Sequence, residues 1–213
     1  MQIKICGITS PEAARGCFEA GADMIGVVYY PPSPRHVDVE RMGVILDAAE
    51  EFRRQERKVV LVVVDSLPDR LDGRFDYVQI HGKLHDDVLN TIKQPTIHVI
   101  KENRILESLL TQNNNNLTND NQQQNQIYIL EMSKGILPGG NGTTWNWEDA
   151  KQFCSTFKKT LIAGGITPEN VIDAIKKAKP FGIDISSGVE AAAGIKDMKK
   201  VKQIIDIIRN ISA

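Results

Sequence analysis

Short runs of β-branched and apolar residues recur along this chain with segments of helical periodicity between them. That alternation restricts the fold more than any other feature of the sequence. The runs occupy residues 3–6, 24–30, 59–64, 77–81, 96–101, 127–131, 160–164 and 182–186. Amphipathic or turn-started segments follow at 11–20, 39–54, 67–71, 85–93, 102–110, 147–157, 168–177 and 196–209. Eight such units ending on a helix predict one α/β domain, a (β/α)8 TIM barrel of eight parallel strands, rather than a doubly wound sheet. An open sheet of that second kind needs a Gly-rich turn after its first strand, and Cys6-Gly7-Ile8-Thr9 does not match GxGxxG. Two helix starts are explicit: Ser10-Pro11-Glu12 and Thr167-Pro168-Glu169 place proline at the first helical position.

One segment departs from this pattern. Twelve of the sixteen residues at 111–126 are Asn or Gln, which leaves too little apolar surface to offset the entropy of ordering them. The composition predicts a flexible surface insertion between the fifth helix and the sixth strand. A short prion-like recruitment segment is the alternative. In a barrel this position is an αβ loop, on the face opposite the active site. Without the insertion the 213-residue chain falls to the ~200-residue lower limit of the fold.

Charge and cysteine usage exclude several classes of function. With 25% charged and 41% hydrophobic residues the composition is that of a globular domain. A net charge of −1 argues against a nucleic-acid binder held by phosphate neutralisation. No apolar run reaches the ~20 residues of a membrane span, and Lys4 interrupts the first apolar stretch before any leader develops. The three cysteines, Cys6, Cys17 and Cys154, are widely spaced and odd in number, which reads as reduced thiols in a cytoplasmic protein. Cys17 and Cys154 lie at helical positions suited to packing. His81 and His85 straddle a strand end and the next helix, so no metal site is expected.

Strand alternation then predicts where polar groups gather. In Ile3-Lys4-Ile5-Cys6 the isoleucines share one face and Lys4 and Cys6 the other. The outer face of a barrel strand packs on helices, so Lys4 and Cys6 are expected inside, with Gln79 and His81 on strand four and Asp184 and Ser186 on strand eight. Strands one and eight are neighbours in a closed barrel. Lys4 is therefore expected to pair with Asp184 below Cys6, either for chemistry or as part of a buried polar network. Cys6, Tyr30, His81, Glu131, Gly164 and Ser186 arrive at the carboxyl ends of strands, where barrel active sites sit. A thiol and a carboxylic acid at one rim make a base and acid pair for proton transfer. Turns containing Gly140 and Gly142, Gly164 and Gly165, and Ser186, Ser187 and Gly188 follow the last three strands. Such turns let backbone N–H groups approach a phosphate. Arg35, in the stiff turn Ser33-Pro34-Arg35, suits bidentate recognition of a carboxylate.

In order and in combination, these segments resemble the phosphoribosylanthranilate isomerase family of tryptophan biosynthesis. The resemblance rests on Lys4-Ile5-Cys6-Gly7-Ile8-Thr9, Gly21-Ala22-Asp23 with Gly26, Ser33-Pro34-Arg35 and Val78-Gln79-Ile80-His81-Gly82. It continues through Gly139 to Gly142, Ala163-Gly164-Gly165-Ile166, Pro168-Glu169-Asn170-Val171 and Asp184-Ile185-Ser186-Ser187-Gly188-Val189-Glu190. It implies an Amadori rearrangement of N-(5-phosphoribosyl)anthranilate, a small phosphorylated substrate, with no cofactor and no metal. It also implies that Cys6 is the general base, that Arg35 holds the anthranilate carboxylate, and that the glycine and serine turns hold the phosphate. Asp184 and His81 would orient the substrate.

Two positions depart from the family pattern. Glu131 stands where the family places an aspartate as general acid, and Ala193 stands where a proline usually precedes the glycine of the last motif. The first touches the chemistry and keeps a second reading open, a phosphate-binding barrel that has lost catalysis and serves as a regulator or scaffold. Another sugar-phosphate isomerase or epimerase is the third. A metal-dependent epimerase wants His and Asp ligands at several strand ends. The histidine-pathway barrel is expected to pair aspartates where this chain has Cys6 and Lys101. Replacing residues 112–126 by a four-residue Gly/Ser link is expected to leave turnover intact and stability nearly unchanged, since loop-closure cost grows slowly with length. Loss of turnover in a folded deletion variant would place the tract on the catalytic face.

Overall fold

The computed structural model describes residues 1–82, 84–101, 126–132 and 142–212. Among them, eight parallel strands close in sequence order into a barrel: β1 Gln2–Cys6, β2 Met24–Tyr29, β3 Lys58–Val63, β4 Tyr77–Ile80, β5 Thr96–Ile100, β6 Ile127–Leu130, β7 Thr160–Ile162 and β8 Gly182–Ile185. Closure pairs β1 with β8, Ile3 opposite Ile183 and Lys4 opposite Asp184. Inward and outward faces alternate as the sequence predicts. Ile3, Ile5, Ile25, Val27 and Leu61 pack outward in one buried cluster with the helices. Cys6, Met24, Val28, Val60, Val62, Ile97, Ile129 and Leu161 fill the barrel interior as a second cluster.

The helices follow their start signals with local exceptions. Ser10 caps α1 (Pro11–Glu19) by accepting from Ala13 N at 3.2 Å, with Pro11 leading the helix. Asp38 caps α2 (Val39–Ala49) in the same way from Arg41 N at 2.8 Å, and a 3-10 turn over Glu50–Gln55 prolongs it. After β3 the expected segment at 67–71 is not a helix; it is irregular, with a bend at Asp69 and Arg70. Pro68 disfavours helix at the residue before it, and Asp72 closes a turn by accepting from Arg74 N at 2.9 Å. The segment expected at 85–93 shortens to α3 (Asp86–Leu89), ahead of Pro95. A 3-10 turn, Trp147–Ala150, leads into α4 (Lys151–Thr156). Thr167 O accepts from Asn170 N and Val171 N, so Pro168 stands in the first turn, and regular helix α5 spans Val171–Ala178. After β8 a small antiparallel hairpin, β9 (Glu190–Ala192) and β10 (Ile195–Lys196), precedes α6 (Met198–Ser212). Alternation did not signal that hairpin.

The expected helix at 102–110 and most of the Asn/Gln tract lie outside the described residues. Gln126, its last member, is anchored: its amide donates to Thr96 O at 2.6 Å and to Ile127 O at 3.0 Å. Any shortening of the tract should therefore stop at 125. No helix among the described residues is long and apolar enough to cross a membrane.

Two aspartates tie the strands together at the amino-terminal end of the barrel. The backbone N–H of Asp23 donates to Ile3 O at 2.9 Å while its carboxylate accepts from Ile3 N at 2.8 Å. Asp76 repeats both bonds with Val59, at 2.9 and 2.8 Å. Each acid sits just before an even strand and fills the backbone positions that strand stagger leaves open on the preceding one. Asp23 also receives Arg57 at 2.9 Å and Arg209 of α6 at 2.7 Å, so it joins β1, β3 and the last helix. Asp23→Ala is expected to cost about 2 kcal/mol, because it orphans the Ile3 N–H and removes the carboxylate partner of Arg57 and Arg209. A urea melt measures this. The variant should keep parental turnover while folded, since the site lies at the other end; an unshifted midpoint would mean that water replaces the carboxylate.

Candidate active site

Deep in the barrel interior two charged side chains meet. Lys4 Nζ lies 2.8 Å from Asp184 Oδ1, with Lys4 wholly buried and Asp184 nearly so. The strand register dictates this contact, because opposed residues on adjacent parallel strands point to the same side. Burial works against the Lys4 ammonium, but Asp184 and Cys6 outweigh it and raise its pKa.

Cys6 is the next inward residue along β1 and sits opposite Gly26 of β2. A Cβ built on Gly26 would stand 2.8 Å from Cys6 Sγ and 3.2 Å from Lys4 Nζ. The missing side chain is what allows thiol and ammonium to share this level of the barrel. Burial pushes the Cys6 thiol above the ordinary range, Lys4 pulls it back, and Asp184 adds to the rise. The raised pKa favours the thiol form of Cys6, whereas a conspicuously acidic cysteine would sit as a thiolate.

Above this level an open cavity lies at the carboxyl ends of the strands, about 720 Å³ when the solvent-filled mouth is included. Its lining brings together Cys6, Arg35, His81, Glu131, Gly164, Gly165, Asp184, Ser186, Ser187 and Gly188, all of them expected from the sequence. Glu131 is only 3% exposed, and its backbone N–H is held by Ile100 O at 3.0 Å. Gln79 does not reach the cavity. It is buried beneath His81, and its amide Nε2 lies 2.6 Å from His81 Nε2, so it supports the ring from below. Gly142 contributes only its position beside Ser187, whose Oγ would be 3.6 Å from a Cβ there, and Gly140 lies outside the described residues.

The turns after β7 and β8 are locked against their neighbours. A Cβ on Gly188 would stand 1.9 Å from Ile166 O, and one on Gly165 would stand 2.5 Å from the Thr143 carbonyl carbon. Only glycine permits such approach, which suits loops whose backbone amides must converge on an anion.

Sequence reasoning missed the company Arg35 keeps. Its guanidinium forms a two-pronged pair with Glu190, Nε to Oε1 at 2.8 Å and Nη2 to Oε2 at 2.7 Å. Lys196 joins the same carboxylate at 2.8 Å and also donates to Ser186 O at 3.1 Å. Burial opposes the charge on Glu190, yet Arg35 and Lys196 hold its carboxyl below the usual range. Burial also pushes the Lys196 ammonium down in spite of Glu190. Glu190 closes the last motif in the sequence, but nothing in its spacing points to Arg35, 155 residues away.

The raised thiol has a direct consequence. Alkylation of Cys6 by iodoacetamide follows the thiolate, so its rate in the empty protein should climb with an apparent pKa above the ordinary 9.0. A rate-versus-pH series with mass-spectrometric assignment measures this. A midpoint below 9.0 would show that Lys4 outweighs burial.

Comparison with known proteins agrees with the geometry. A sequence model of the family described as N-(5'phosphoribosyl)anthranilate (PRA) isomerase matches residues 3–207. N-(5'-phosphoribosyl)anthranilate isomerase from Sulfurihydrogenibium sp. is 36% identical over 99% of this chain and 100% of its own length. The protein of the same name from Aquifex aeolicus is 37% identical over 96% and 97%. Among solved structures, phosphoribosyl anthranilate isomerase from Thermotoga maritima superposes with a TM-score of 0.79 at 28% identity, covering 99% of both chains. A phosphoribosyl anthranilate isomerase in complex with reduced 1-(o-carboxyphenylamino)-1-deoxyribulose 5-phosphate superposes at 0.76 with 27% identity and the same coverage. The barrel, its cavity and these likenesses along the whole chain agree: the protein belongs to the phosphoribosylanthranilate isomerase family.

Proposed function

We propose that Cys6 and Glu131 serve as base and acid in the family's reaction, the Amadori rearrangement of N-(5-phosphoribosyl)anthranilate to 1-(2-carboxyphenylamino)-1-deoxyribulose 5-phosphate. The observation that carries this reading is a single cavity faced by a thiol, a carboxyl group, a guanidinium and two glycine or serine turns. These match, group by group, a substrate with a carbon acid, a ring oxygen, a carboxylate and a phosphate.

The proton inventory balances. Glu131 in its acid form gives its proton to the ring oxygen as the C1–O bond breaks, and the nitrogen lone pair forms C1=N. Cys6 as thiolate takes the C2 proton; the C2–H electron pair becomes C1=C2, and the C1=N pair returns to nitrogen. The resulting enamine is also an enol, and it becomes the ketose by gaining a proton at C1 and losing one from the C2 hydroxyl. No electrons leave the molecule, so the step needs neither an oxidant nor a reductant, only the proton transfers of an acid and a base. Lys4 beside Cys6 stabilises the thiolate when it forms, and Asp184 keeps Lys4 in place. Arg35 receives the anthranilate carboxylate, and the turns at Gly164–Gly165 and Ser186–Gly188 receive the phosphate. A thiol base needs a reducing compartment, which supports a cytoplasmic location, and the three cysteines of the chain are unbridged.

Glu131 differs from an aspartate by one methylene, about an ångström of reach, and misplacement of that size can cost ~10²-fold. Its acid strength is little different, ~4.3 against ~3.9 in the free side chains. Steady-state turnover followed by loss of substrate fluorescence tests the assignment. Cys6→Ala and Glu131→Gln are each expected to lose ~10²–10⁴-fold in kcat, while Glu131→Asp keeps part of the activity. An inactive parent rescued by Glu131→Asp would support the reading of lost catalysis. A Glu131→Gln variant as active as the parent would move the acid to Asp184.

A further inference from the structure

We propose that Glu190 is a positioning residue of this enzyme. One buried carboxylate sets the guanidinium of Arg35 and, through Lys196, the Ser186 carbonyl. It thereby fixes the carboxylate-binding and phosphate-binding ends of the cavity relative to each other. The proposal rests on the reading above that Arg35 takes the substrate carboxylate.

The contacts form a continuous chain across the rim. Arg35 meets Glu190 through two parallel bonds of 2.8 and 2.7 Å, the geometry that fixes a guanidinium plane as well as its position. Lys196 Nζ bridges Glu190 Oε1 at 2.8 Å and Ser186 O at 3.1 Å. All three charged side chains are at most 7% exposed, so water does not substitute for these bonds. The hairpin that carries Glu190 and Lys196 is itself pinned. Lys200 donates to Glu190 O at 3.0 Å, Thr9 donates to Gly194 O at 2.6 Å, and a Cβ on Gly194 would stand 2.7 Å from Pro34 O. From the other side, a Cβ on Gly7 would stand 2.6 Å from Arg35 Cδ. The loops after β1, β2 and β8 thus meet at one carboxylate. A long arginine free to choose rotamers would lose that freedom on each binding event; here it is ordered in advance.

The charge of Glu190 acts in the opposite direction. Removing the negative charge of Glu190 leaves two buried cations, which attract anionic ligands more strongly. The two effects predict opposite signs, so they can be separated.

The test compares Glu190→Gln, Glu190→Asp, Lys196→Met and Arg35→Lys in the full chain. It measures kcat, KM, and inhibition by anthranilate and by inorganic phosphate. Glu190→Gln should raise KM and the anthranilate inhibition constant by roughly 10–100-fold, with kcat within about threefold of the parent, because the lost contact serves binding throughout the reaction. Glu190→Asp should recover part of the loss. Lys196→Met should weaken phosphate alone. A folded Glu190→Gln protein with unchanged or lower KM overturns the proposal and leaves Glu190 as a charge-balancing residue. If that variant does not fold, Lys196→Met decides: phosphate inhibition equal to the parent's overturns it. Anthranilate inhibition unchanged in Arg35→Lys would instead sink the carboxylate role of Arg35, and the proposal with it.

Discussion

The ion pair between Lys4 and Asp184 is the constraint around which the interior of this barrel is arranged. Two charges taken out of water carry a large desolvation cost, which is offset only when they meet at close range. Here they meet at 2.8 Å because closure of the barrel puts their strands side by side in register. Removing either partner leaves a buried charge unanswered, so neither position can drift alone. The thiol one step higher on β1 then lies beside an ammonium, and the glycine opposite leaves both groups room.

The same pair explains how the interior can hold a reactive thiol at all. A cysteine among apolar side chains is inert, and Cys17 and Cys154, pushed up to about 12 by burial, are of that kind. Cys6 differs by having Lys4 beside it, although burial still dominates. A base of this kind is held in reserve: the thiolate forms at a cost and is correspondingly basic toward a carbon acid.

Rigidity at the rim comes from packing rather than from secondary structure. The turns after β7 and β8 interlock at distances that exclude any side chain, and the hairpin after β8 leans on the loop after β2. The opposite end is tied by Asp23 and Asp76, each holding the preceding strand by two bonds. Catalytic and stabilising devices therefore sit at opposite ends of the strands, the division of labour usual in this architecture.

Much of this was legible in the order of residues. Period-two alternation put Lys4, Cys6, Gln79, His81 and Asp184 inside, because adjacent side chains of a strand must face opposite ways. Pro and Gly signals placed α1 and the turns of the rim. The helix expected at 67–71 failed because Pro68 and the Asp72 turn outweigh a weak apolar periodicity, a contest that spacing alone does not score. What only the tertiary structure decided are contacts between residues far apart in the chain. Lys4 with Asp184 could be inferred from strand adjacency, but Arg35 with Glu190 and Lys196 could not, for those side chains come from irregular loops and a two-stranded hairpin. Gln79 sharing a face with His81 did not reveal that it stops beneath it. Alternation fixes the side to which a residue points; how far along the barrel axis it reaches depends on strand tilt and loop packing, which exist only once the barrel has closed.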